Sequence, residues 1–186
     1  MIYPIVAYGD PILKKKAKDI EKDSIDVVAL SGDMFETMYN AHGVGLAAPQ
    51  IGLGIRMFVV DAEPMGDEEN NELKGFKKVF INPQIISESG KEWPFEEGCL
   101  SIPGIREEIY RNEELEIKYF DENWQEHIET LSSVKARIIQ HEYDHIEGVL
   151  FTDHLSGFKK RLLRSKLISI SKGNVPAEYR MVFPAK

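Results

Sequence analysis

A single cysteine, Cys99, stands among the 186 residues. No intramolecular disulfide can form, which suits a reducing cytoplasm, and the one thiol is left for packing, metal ligation or nucleophilic chemistry. No apolar run approaches the roughly 20 residues that a bilayer span requires, and the N-terminal stretch is interrupted by Pro4, Gly9, Asp10 and Pro11. Export and membrane insertion are not expected, so the expected location is cytoplasmic. Positive charge is in short supply: 23 Lys and Arg against 31 Asp and Glu give a formal net charge of −8. Such a chain repels a phosphate backbone as a whole, and DNA is not an expected partner. Internal repeats, low-complexity tracts and linkers are lacking too, so residues 1–186 are expected to form one domain. The balance of 42% hydrophobic and 29% charged residues is that of a packed fold.

From Ser24 onward, Val27, Val28, Ser31, Met34, Phe35, Met38 and Ala41 follow helical spacing, with Asp23 or Ser24 as the expected cap and Gly43 as the stop. Strands are expected at Ile55–Asp61, Val79–Asn82, Leu115–Phe120 and Trp124–Leu131, the last two joined by a turn at Asp121, Glu122 and Asn123. Residues 63–74 are polar and read as a surface loop. A second helix is expected over about 133–147, ended by Gly148, and a third over about 156–171, with Leu155, Phe158, Leu162, Leu167 and Ile170 facing inward. The fold class is α+β: mostly antiparallel sheet packed around a central helix, with one helix near each terminus.

The second helix carries the chemistry. His141, Glu142, Tyr143, Asp144 and His145 fit HExxH, which puts two imidazoles one turn apart on one helix face, where both can grip one metal ion. With Val134 and Ile138, the two histidines and Glu142 fall within an arc of roughly 100°, on the side that turns toward the sheet. A zinc peptidase of the extended HExxHxxGxxH type would need a third histidine where Phe151 stands, and a phenyl ring has no lone pair to give. His154 and Glu178 lie further on without a protease signature. Upstream, Cys99 follows Glu97 and Gly98, and its thiolate is a strong ligand for a borderline transition metal. Two histidines and one cysteine leave a position open for water, as a catalytic centre requires.

Three segments resemble the peptide deformylase family: Gly43 to Gln50 is similar to GxGxAAxQ, Glu97 to Ser101 matches EGCLS, and Gln140 to His145 matches QHExDH. The resemblance implies that Cys99, His141 and His145 bind one divalent metal, with metal-activated water as nucleophile. Glu142 would be the general base and acid, while Gln50 and the Leu100 backbone N–H would stabilise the oxyanion. It implies a hydrolase that removes the formyl group from the initiator methionine of nascent chains. Gly43, Gly45, Glu97, Arg106, Val134 and Ile138 would border the substrate, and Arg137 would line the pocket or pair with an acid. Fe(II) is the expected native ion, and the donors suit Zn, Ni and Co as well.

Two further features stand apart. Lys159, Lys160, Arg161, Arg164 and Lys166 make the last helix basic; such a run is ordinarily a solvated face, and the same resemblance implies a contact with the ribosome as the alternative. The tail from Asn174 to Lys186 alternates Tyr179, Met181 and Phe183, and is expected to add a strand or pack over the domain. The competing readings are a zinc peptidase and a metal-binding module without turnover.

Overall fold

A computed structural model describes residues 1–66 and 71–184. Part of the expected 63–74 loop and the last two residues of the tail lie outside the described residues. Helix α1 (Val27–Asn40) forms on the apolar spacing and buries Val27, Ser31, Met34, Phe35 and Met38. Its cap is Asp26, whose Oδ1 accepts from Ala29 N at 2.9 Å, later than the sequence suggested. Asp23 sits in the left-handed region at φ 63°, and Ser24 closes a turn onto Glu21, so neither can cap the helix. Val28 is 58% exposed, because one residue step rotates it about 100° off the Val27 face. The left-handed residue ending the helix is His42 (φ 55°), not Gly43.

Five strands form an antiparallel sheet in sequence order: β2 (Gly45–Ala47), β3 (Met57–Asp61), β4 (Lys77–Cys99), β5 (Ile102–Phe120) and β6 (Glu126–Ser132). Every residue of β3 is buried because the sheet is covered on both faces. Phe58 and Val60 pack with Phe80, Leu115 and Ile117 against Ala136, Ile139 and Ile146 of α2 (Ser133–Ile146). Met57 and Val59 turn the other way, into a cluster with Val79, Ile81 and the Met34, Phe35 and Met38 of α1.

Strands β4 and β5 run far beyond the segments that the apolar alternation marked. Register shifts at Ile81/Gln84, Ile85/Ser87 and Ser89/Glu92 break the period of two, and much of the outer hairpin is exposed on both faces. The hairpin turns at Leu100 and Ser101, between the paired Cys99 and Ile102. Asp121 forms the expected turn before β6, its Oδ1 accepting from Asn123 N and Gln125 N.

Helix α2 follows β6 directly and is ended by Gly148 at φ 76°, where a side chain would collide with the Lys14 backbone, its Cβ 2.7 Å from that carbonyl oxygen. Helix α3 (Gly157–Ser171) buries Leu163, Leu167 and Ile170. Phe158 and Leu162, expected inside, are each 63% exposed: Leu162 is one residue step, about 100°, from Leu163, and Phe158 lies about 140° from Leu163, away from the buried face. The tail both adds a strand and packs over the core: β7 (Met181–Val182) pairs in parallel with β1 (Ile5–Val6), and Tyr179 and Met181 lean on the cluster beneath α1. The chain is thus α+β, with a five-stranded antiparallel sheet and three α-helices among the described residues. No helix among the described residues is long and apolar enough to cross a membrane.

Candidate active site

Helix α2 sets His141 and His145 edge to face with ring centroids 5.1 Å apart, and the tip of the β4–β5 hairpin brings Cys99 to them. The three donor atoms lie within 4.8 Å of one another, and Cys99 Sγ stands 3.3 Å from His145 Nε2. His141 is fixed by Glu97, whose Oε2 is 2.9 Å from Nδ1. Since Glu97 is ionised, Nδ1 carries the proton and donates it, which leaves the Nε2 lone pair free for ligation.

Glu97 is buried, and its charge is balanced by two arginines. Arg111 Nε and Nη2 donate to it at 2.7 and 3.0 Å, and Arg137 Nη1 at 3.1 Å. Burial alone would raise this carboxyl, but the hydrogen bonds from His141 and Arg111 outweigh it and hold the group well below the usual carboxylate range. Arg111 continues to Asp144 Oδ2 at 2.8 Å, which also accepts from His154 Nε2 at 2.7 Å. His154, weighed in the sequence as a later candidate ligand, instead serves Asp144; Arg111 and Asp144 were missed as parts of the site. Their only signal was a charged residue at an inward position of a strand and an acid inside the helical motif.

Glu142 lies one residue beyond His141, buried, with Oε2 making no hydrogen bond among the described residues. Burial raises its carboxyl to about 7 despite the nearby histidines. Gly45 is what admits it: a Cβ there would stand 2.8 Å from Glu142 Cδ and collide with the carboxylate. For Cys99, burial opposes ionisation, but His145 and His141 bring the thiol down to about 5.

Gln50 is buried at the end of the Gly-rich segment. Its Oε1 accepts from Ala47 N at 2.9 Å, which turns Nε2 toward Cys99 Sγ and Ser101 Oγ, each at 3.4 Å. The amide is therefore held as a donor toward the cluster.

A cleft of about 610 Å³ opens over these groups, and Gly43, Gly45, Leu100, Arg106, Ile138 and Glu142 line it. Gly43 allows a close approach, since a Cβ there would meet Leu100 Cδ1 at 2.9 Å. Arg106 sits at the rim with its Nε on Glu96 at 2.9 Å. Val134 does not line the cleft; it packs against the cluster between α2 and the sheet. Arg137 does both things open to it, lining the cleft while bound to Glu97 and stacked 4.7 Å from the Trp93 ring. Phe151 is buried with its ring 6.1 Å from that of His141, and His154 is engaged by Asp144, so neither stands among the three donors. Glu178 lines the cleft from the tail.

One thiol, two imidazoles of which one is oriented by a carboxylate, and a second buried carboxylate with an unpartnered oxygen fit a metal ion. With the α+β fold and an open cleft above, they define the class as a metal-dependent hydrolase. The sequence pattern of the polypeptide deformylase family matches residues 2–161. A peptide deformylase of Cytophaga hutchinsonii is 63% identical over 186 residues, all of both chains, and one of Christiangramia forsetii is 59% identical, covering 99% of this chain and 97% of its own. Among solved structures, a peptide deformylase from Legionella pneumophila superposes with a TM-score of 0.79 at 38% identity, covering 95% of this chain and 100% of that one. The chain belongs to the polypeptide deformylase family and is an enzyme.

Proposed function

We infer that this enzyme hydrolyses the formamide of N-formyl-methionyl peptides, releasing formate and freeing the amino terminus of nascent chains. The observation that carries this is the family match over residues 2–161, within which Cys99, His141, Glu142 and His145 all fall. Residues 1–186 act as one catalytic domain, with the HExxH helix at its centre as the metal-binding element; the burial of α2 against the sheet supports this.

Cys99, His141 and His145 hold one divalent metal, which when bound supplies a Lewis acid that polarises the formyl carbonyl and acidifies water. Glu142, raised to about 7 by burial, is suited both to take a proton as water attacks and to give it to the leaving amine. Gln50 Nε2 and the Leu100 N–H donate to the formyl oxygen as it gains charge. The methionine side chain enters the cleft beside Ile138, with Gly43, Gly45, Glu97 and Arg106 bordering the peptide. Fe(II) is the native ion and Zn, Ni and Co also fit the donors; elemental analysis after anaerobic purification tests this, and iron absent from such protein would overturn it.

The cytoplasm is where this substrate arises. The basic face of α3 contacts the ribosome: Arg161, Arg164 and Lys166 are exposed beside exposed Phe158 and Leu162. Cosedimentation with ribosomes should weaken with salt and vanish when Lys159, Lys160, Arg161, Arg164 and Lys166 are neutralised; binding that survives would sink the idea. The activity itself is tested by offering formyl-Met-Ala-Ser and an acetylated peptide of the same sequence. Formate from the first and no cleavage of the second is expected, whereas scission of internal bonds would favour a peptidase and no turnover a binding module.

A further inference from the structure

The tail following α3 returns to the active site. After Val175 packs against the core, Pro176, Ala177, Glu178 and Tyr179 line the cleft together with the Gly43–Gly45 segment. This stretch is tied down at both levels. Tyr179 is half-buried and its hydroxyl donates to Leu100 O at 2.7 Å, at the turn that follows Cys99. Two residues later the chain enters β7, where Arg180 O and Val182 O accept from Ile5 N and Ala7 N, each at 2.8 Å. The neighbouring carbonyl of that turn, Ser101 O, accepts from Tyr8 N at 2.9 Å. The turn is therefore clamped from behind by the two chain ends that β1 and β7 pair together.

The charges around the cleft differ in how they are balanced. Glu96 is paired with Arg106, and Glu97 with Arg111 and Arg137. Glu142 is buried beside the histidines. Glu178 is exposed and makes no ion pair among the described residues, so it leaves the tail side of the cleft with an uncompensated negative charge.

We propose that Pro176–Tyr179 is a substrate-selecting wall of this cleft, in which Glu178 favours basic over acidic side chains at the positions that follow the formylated methionine. Tyr179 is a positioning residue: it fastens the wall to the Leu100 turn and so sets the distance between Glu178 and the peptide. The inference rests on the deformylase reading, because the occupant of the cleft is then a peptide held by its formylated end.

The test compares kcat/KM for formyl-Met-Lys-Ser and formyl-Met-Glu-Ser. A single solvent-exposed charge pair contributes roughly 0.2–1 kcal/mol, so the lysine peptide should be preferred by about 3-fold at low salt. The preference should shrink as salt is added. Glu178→Gln should bring the ratio to about one, and Glu178→Lys should reverse it. Tyr179→Phe should reduce the ratio while bound metal, measured by elemental analysis, stays stoichiometric; a role confined to stability would lower both rates alike and leave the ratio unchanged. A lysine preference that persists in Glu178→Gln, or equal rates in the wild type, would overturn the proposal while leaving deformylation standing. No formate from either peptide would count against the deformylase reading itself.

Discussion

Replacing Glu97 by glutamine keeps its shape and removes its charge. The carboxylate is 5% exposed and accepts two bonds from Arg111, one from Arg137 and one from His141. Removing one partner of a buried ion pair costs about 3–5 kcal/mol, because the remaining charges stay buried and uncompensated. Here Arg111 keeps Asp144, and Arg137 keeps the carbonyls of Trp93 and Ile109, so about 3 kcal/mol is expected. The amide oxygen can still accept from His141 Nδ1, which limits the loss of metal affinity to about tenfold. The folded carboxyl lies below its ordinary 4.5, so the stability it contributes is present above that value and disappears as pH falls through the depressed one. Urea unfolding of chelator-treated wild type and Glu97→Gln at pH 7 and in acid, with competition against a chelator for metal affinity, measures all three. A variant as stable at pH 7 as the wild type, binding metal equally well, would refute the reasoning.

Three other outcomes follow from the geometry. Gln50→Ala should lower kcat roughly a hundredfold with metal content intact, as expected for loss of one oxyanion donor; a variant of normal turnover would remove Gln50 from the reaction. In Gly45→Ala the new Cβ meets Glu142 2.8 Å from Cδ, and displacing that carboxylate should cost on the order of a hundredfold in kcat. Retained activity in a folded Gly45→Ala protein would show that Glu142 need not stay where it is. In metal-free protein Glu142 binds its proton more tightly folded than unfolded, so its contribution to stability is full below 4.5 and lost as pH rises through about 7, a change of about 3 kcal/mol. Glu142→Gln should lack that slope, and an identical pH profile for both proteins would contradict the buried-carboxyl account.

Much of the site was legible because its chemistry is written in short spacings. His141 and His145 are four residues apart, and a helix of that register must bring them together. The Glu97–Ser101 segment stood out by composition, although its place at a hairpin tip came from the length of β4 and β5, which bulges and two-sided exposure hid from an alternation count. Arg111 and Asp144 were not legible as parts of the site because their link is spatial: Arg111 lies 14 residues from Glu97 and 33 from Asp144. Helix α3 was located correctly and Leu167 and Ile170 face inward as expected, but Phe158 and Leu162 are apolar and yet face outward. Exposed apolar groups on a basic helix defeat a rule that takes hydrophobic residues as inward. The tail's alternation suggested a strand, but nothing in it indicated that Tyr179 would reach Leu100.

The central claim is that Cys99, His141 and His145 hold the metal while Glu142 moves the proton. The measurement that tests it most directly is metal content and formate release from formyl-Met-Ala-Ser, read on the same samples of wild type, Glu142→Gln and Cys99→Ala. The account predicts stoichiometric metal with little formate for Glu142→Gln, and loss of both for Cys99→Ala. Formate released by Glu142→Gln at the wild-type rate, or full metal retained by Cys99→Ala, would contradict it.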